Sequence, residues 1–176
     1  MYSDNPRGSV ILLSACPQEK EQGLIQYLHA GLIDKGWNSV LISLRDTPLE
    51  QHATLIQTSR KQALEQVNAP VILLADNCHN DTVLSYASQP NNSLFTAYIT
   101  LGMQQKAGQY PQHLNAPLLD VQGTANRSDV ISPVKWLATL RLAKGKRMEL
   151  PTATHNFTAQ EDKLLFLISQ WLRSIS

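Results

Sequence analysis

Six short apolar runs divide the chain, at 9–14, 39–44, 71–75, 97–101, 117–121 and, weakest, 146–150. The first three are continuous rather than alternating, as in Val71-Ile72-Leu73-Leu74-Ala75. Strands buried on both faces read that way, which predicts a parallel sheet covered by helices. Helical spacing fills the intervals. Residues 19–35 carry Leu24, Ile25, Leu28, Leu32 and Ile33, with Gly36 as a stop signal. Residues 49–67 carry Leu49, Ala53, Ile56, Ala63, Leu64 and Val67, and 81–88 reads as a short helix. Residues 129–143 carry Val130, Val134, Leu137, Ala138 and Leu142. Residues 158–174 carry Leu164, Leu165, Leu167, Ile168, Trp171 and Leu172, and Thr158 with Glu161 predicts a capping box at their start. Strand–helix alternation along the whole length predicts one domain, 1–176. Its fold class is α/β: a doubly wound, mostly parallel six-stranded sheet with helices on both faces.

Composition narrows the classes without choosing among them. Apolar residues make up 43% and charged residues 16%, which suits a globular core and not a disordered chain. The net charge of +1 provides no broad field for nucleic acid or anionic lipid. No apolar run approaches the ~18 residues of a membrane span. The start, Met1-Tyr2-Ser3-Asp4-Asn5-Pro6-Arg7-Gly8, has no apolar h-region and predicts no signal peptide. Two cysteines, Cys16 and Cys78, are too few for a disulfide scaffold and form no C-x-x-C pair. Sequons at Asn80, Asn91, Asn126 and Asn156 are what an Asn-, Ser- and Thr-rich chain produces by chance.

The chemistry concentrates after the third run. The strand at 71–75 leads directly into Ala75, Asp76, Asn77, Cys78 and His79, where an α/β-hydrolase carries G-x-S-x-G. Three further stretches, 7–13, 36–44 (opening Gly36-Trp37) and 116–123 (containing Pro117-Leu118-Leu119-Asp120), extend the likeness, as does Ile168-Ser169-Gln170-Trp171-Leu172. On these motifs the chain resembles an α/β-hydrolase-like domain-of-unknown-function family of gammaproteobacteria. The resemblance covers most of the chain. It implies a minimal α/β-hydrolase core lacking the first two strands of the full fold, usual export to the periplasm, and no established activity. Without a signal peptide in this chain, a cytoplasmic location is equally open.

The resemblance also implies where a catalytic triad would lie. The nucleophile position falls on Asn77, which cannot act as a serine. The acid position follows the fifth strand, at Asn126, with Asp129 as an alternative acid. Asn accepts a hydrogen bond from imidazole but does not stabilise an imidazolium as a carboxylate does. The base position falls on His155, the one triad position that keeps its residue; otherwise His155 is a loop residue bonding locally. The oxyanion loop would lie near Cys16, and its second donor at Cys78. Three readings of the cysteines stay open: two small hydrophobes, a disulfide suited to an oxidising compartment, or Cys78 as a thiol nucleophile served by His155.

Other clusters carry less. Asp76, His79 and Asp81 lack a second His at helical spacing, and no metal site is expected. Arg141, Lys144, Lys146 and Arg147 read as a solvated helix C-terminus. No phosphate-binding glycine loop is present, and no cofactor is implied. The expected function is therefore a catalytically inactive binding or interaction module at the former active-site face. The alternative is a residual or altered hydrolase, esterase- or thioesterase-like, using Cys78 and His155. The only candidates for a lid are 89–94 and 104–114, so a shallow face and a protein partner or small ligand are expected there.

Overall fold

The computed structural model describes residues 4–14, 19–90, 94–103, 111–125, 140–154 and 156–175, with backbone only at 19–22 and 77. The strands are β1 (Ser9–Ser14), β2 (Asn38–Ser43), β3 (Val71–Ala75), β4 (Ala97–Leu101), β5 (Leu118–Gly123) and β6 (Lys146–Leu150). The helices are α1 (Glu19–Asp34), α2 (Leu49–Gln66), α3 (Asn80–Ala87) and α4 (Glu161–Ile175). The strands form one sheet in the order β2-β1-β3-β4-β5-β6, and every pairing is parallel. The expected α/β fold with six strands is present.

Alternation along each strand feeds two cores. Val10, Leu12, Ile72, Leu74, Leu119 and Val121 point to one side, where α1 supplies Leu28 and α4 supplies Leu164, Ile168 and Leu172. Ile11, Leu13, Leu73, Tyr98 and Leu118 point to the other, against Ile56 of α2 and Val83 and Ala87 of α3. Each fully buried aliphatic side chain contributes about 1.5–3 kcal/mol, so continuous apolar strands are stable only with helices on both sides.

Local signals set the ends of the elements. After α1, Gly36 adopts φ +84, a left-handed conformation that favours glycine. Its N–H donates to Ile33 O at 2.9 Å, and the Trp37 N–H donates to Leu32 O at 3.1 Å. This double cap turns the buried Trp37 into the core. The expected capping box before the last helix is displaced. The helix starts at Glu161, and the Glu161 carboxylate accepts from the Ala159 N–H at 3.2 Å rather than from Thr158.

One strand is pinned by a buried charge pair. Asp120 on β5 lies in register with Arg147 on β6. Their side chains are 0% and 7% exposed, and Arg147 Nε lies 4.0 Å from Asp120 Oδ2. That separation is a charge–charge contact and too long for a hydrogen bond. The other carboxylate oxygen accepts from Thr100 Oγ1 at 3.2 Å and from Gln122 Nε2 at 2.8 Å. Arg147 thus departs from the solvated basic patch expected of it, because strand register carries it inward. Arg141, Lys144 and Lys146 do stand in solvent. Removing one partner of such a pair leaves an uncompensated buried charge. Asp120→Asn is expected to lower unfolding free energy by roughly 3–5 kcal/mol in denaturant titration. A loss no larger than the about 0.5 kcal/mol of an ordinary surface substitution would contradict this.

Candidate functional site

The sheet order decides where a site can form. From β1 the chain moves outward to β2, and from β3 it moves the other way to β4. In open parallel sheets the crevice lies at the carboxyl ends of the two strands where the order reverses. Here those are β1 and β3. The turn after β3 is therefore the centre of the candidate site.

The backbone on either side of the turn is ordinary. Asp76 is extended, at φ −84 and ψ −179, and Asn77–His79 form one 3-10 turn that passes directly into α3. The His79 N–H donates to Asp76 O at 3.0 Å. The described residues with positive φ other than glycine are Lys144, Thr152, Phe157 and Ala159, none of them in this turn. His79 sits at φ −124 and ψ 15, a conformation that needs no glycine. The side chain of Asn80, buried at 2% exposure, donates to Leu101 O at 2.9 Å and ties the start of α3 to the end of β4.

Two side chains follow from this geometry. Cys78 is exposed, and its sulfur is disulfide-bonded. A bonded sulfur offers no thiolate, which is the nucleophilic form. The other cysteine of the sequence, Cys16, lies outside the described residues. His79 is half-buried and meets His52 of α2 edge to face, with ring centroids 5.9 Å apart and planes at 72°. His52 Nε2 lies 3.0 Å from Thr47 O, and since a carbonyl only accepts, Nε2 carries the proton. Its Nδ1 is buried without a hydrogen-bond partner. Burial, and then the charge of His52, lower the His79 pKa below the usual histidine value. His79 is therefore a neutral imidazole at pH 7. Sequence reasoning assigned His52 no role, because nothing in the chain indicates that α2 passes over this turn.

The loops holding the expected acid and base are joined through their backbones. The Thr124 N–H donates to Leu150 O at 3.2 Å and the Ala125 N–H to Ala153 O at 2.8 Å. Gly123 leaves the room for this, since a Cβ there would strike the carbonyl oxygens of Ala153 and Thr154. Asn126, Asp129 and His155 themselves lie outside the described residues, and only the backbone of Asn77 is described. Among the described residues, no group of three or more His, Cys, Asp or Glu side chains could hold a metal ion. Nor is any described helix long and apolar enough to cross a membrane.

No protein-family model matches this chain, and no curated protein matches it in sequence. Solved structures match it closely in fold. An α/β serine hydrolase homologue from Coxiella burnetii superposes with a TM-score of 0.69 at 12% identity, over 96% of this chain and 86% of that one. Est1E from Butyrivibrio proteoclasticus gives 0.68 at 13% identity, over 97% and 89%. An α/β serine hydrolase without a lid, from Xanthomonas campestris, gives 0.67 at 14% identity, over 97% and 84%. The fold is that of the α/β-hydrolases.

The lowered pKa of His79 has a sign. The unfolded histidine, with a pKa of about 6.5, takes up a proton more readily than the folded one. Stability is thus complete above about pH 6.5 and is lost as pH falls through that value towards the folded pKa. Melting temperature is expected to drop as the pH falls below about 6.5, the ordinary histidine pKa. His79→Gln should flatten part of that drop, and an unchanged pH profile in the variant would refute the assignment.

Proposed function

We propose that this protein is a non-catalytic member of the α/β-hydrolase fold that binds a partner or small ligand at the carboxyl ends of β1 and β3. The observation that carries this reading is the turn after β3. Its nucleophile position is Asn77, and the adjacent Cys78 sulfur is tied in a disulfide. The turn therefore presents neither a serine oxygen nor a free thiolate. With Asn126 in place of the acid, two of three triad positions are replaced, and His155 has no nucleophile to activate. Hydrolases stripped of triad members keep only about 10³–10⁴-fold catalysis over water, far below ordinary turnover. The resemblance to exported gammaproteobacterial proteins agrees with a disulfide, which persists in an oxidising compartment such as the periplasm.

The disulfide also defines the second reading. Reduction would free an exposed thiol at Cys78, and an esterase or thioesterase reaction would then call on His155 as its base.

One set of measurements separates the two. Non-reduced protein is expected to resist alkylation at both cysteines and to release one linked peptide containing Cys16 and Cys78. Short-chain p-nitrophenyl esters and acyl thioesters should show no turnover above background, oxidised or reduced. Turnover that appears on reduction and disappears in Cys78→Ala would overturn the non-catalytic reading.

A further inference from the structure

The edge strand β6 presents an unused pairing surface. Among the described residues β6 pairs only with β5, so its outer edge is open. The carbonyl of Leu150 accepts from the Thr124 N–H of the β5 side. Backbone groups alternate along a strand, so Lys146, Met148 and Leu150 turn theirs towards β5. Arg147 and Glu149 consequently turn their N–H and C=O groups outward.

We propose that β6 pairs with β6 of a second copy of this chain, antiparallel, about a two-fold axis through Met148. An axis normal to the sheet keeps opposed side chains on the same face, so the register must be centred on a residue. Centring on Arg147 sets arginine against arginine, and centring on Glu149 sets glutamate against glutamate. Like charges directly opposite are unfavourable. Centring on Met148 sets Arg147 of each copy opposite Glu149 of the other. Both of those residues carry outward backbone groups, so each pair exchanges both of its hydrogen bonds. Pro151, which has no N–H, ends the pairing.

The side covered by α4 is complementary in the same register. A hollow of about 670 Å³ lies beside the first half of β6, between Lys144, Met148, Leu167 and Trp171. A second, of about 410 Å³, lies beside its end, lined by Pro151 and Phe166. Phe166 is 58% exposed there. With Met148 on the axis, the end of one β6 lies level with the start of the other. The Phe166 of each copy then faces the larger hollow of its partner. A surface that fits itself in both charge and shape favours a second copy over an unrelated chain.

Light scattering after size exclusion, across the micromolar range, tests this. Wild type is expected at twice the chain mass when concentrated. Glu149→Lys, which sets lysine opposite arginine, and Phe166→Asp, which removes the apolar plug, alter exposed positions. They should leave the melting curve of the monomer unchanged while weakening dimerisation roughly tenfold or more. Amide exchange at Arg147 and Glu149 should slow in the concentrated wild type and not in the variants. A wild type that stays monomeric throughout, including one whose β6 edge captures a different protein, overturns the proposal. So does a dimer that both variants leave intact.

Discussion

A parallel sheet cannot leave either face in water, and the rest of this molecule depends on that constraint. Strands such as Ile11-Leu12-Leu13 and Ile72-Leu73-Leu74 are wholly buried, so α1 and α4 must cover one side and α2 and α3 the other. The same crossovers align all the carboxyl ends on one edge. Because the order reverses between β1 and β3, the carboxyl ends of these two strands border one crevice. The position of the candidate site is thus a consequence of burial before any catalytic residue is considered.

Within that frame the turn after β3 sets the local chemistry. A 3-10 turn follows β3, and its last residue, His79, meets His52 of α2 edge to face. Burial keeps that imidazole neutral. The fold by itself hosts many functions, so the reading as a binding protein rests on the turn and on the bonded state of Cys78.

The far half of the sheet is held by polar contacts. Asp120 gathers Thr100, Gln122 and Arg147, which fixes β6 against β5. That pairing in turn sets the loops of residues 124–125 and 150–154 against each other. A buried charge pair far from the turn therefore orients two of the three loops that a hydrolase site would use. Among the described residues no strand pairs with the outer edge of β6, so the strand that supports these loops is also the one proposed for assembly.

The six strands, the helices 19–34, 49–66, 80–87 and 161–175 and the α/β class were legible in the chain, because burial on both faces leaves continuous apolar runs and helical spacing is local. The helix expected over 129–143 lies almost wholly outside the described residues. Gly36 marked the end of α1 for the same reason: a left-handed cap needs glycine at one known offset. The position of the turn after β3, at Asn77, Cys78 and His79, was equally visible. Local sequence misplaced the start of α4 by a few residues, since Glu161 caps Ala159 rather than completing a box with Thr158. It could not foresee that His52 would meet His79, or that Arg147 would be buried opposite Asp120 instead of standing in solvent. Those contacts join residues far apart in the chain, and strand order and register decide them. The sequence by itself determined which segments must be buried and where the turn after β3 falls. Only the tertiary structure decided which side chains share a surface, because that depends on how the sheet is ordered and not on any segment's own composition.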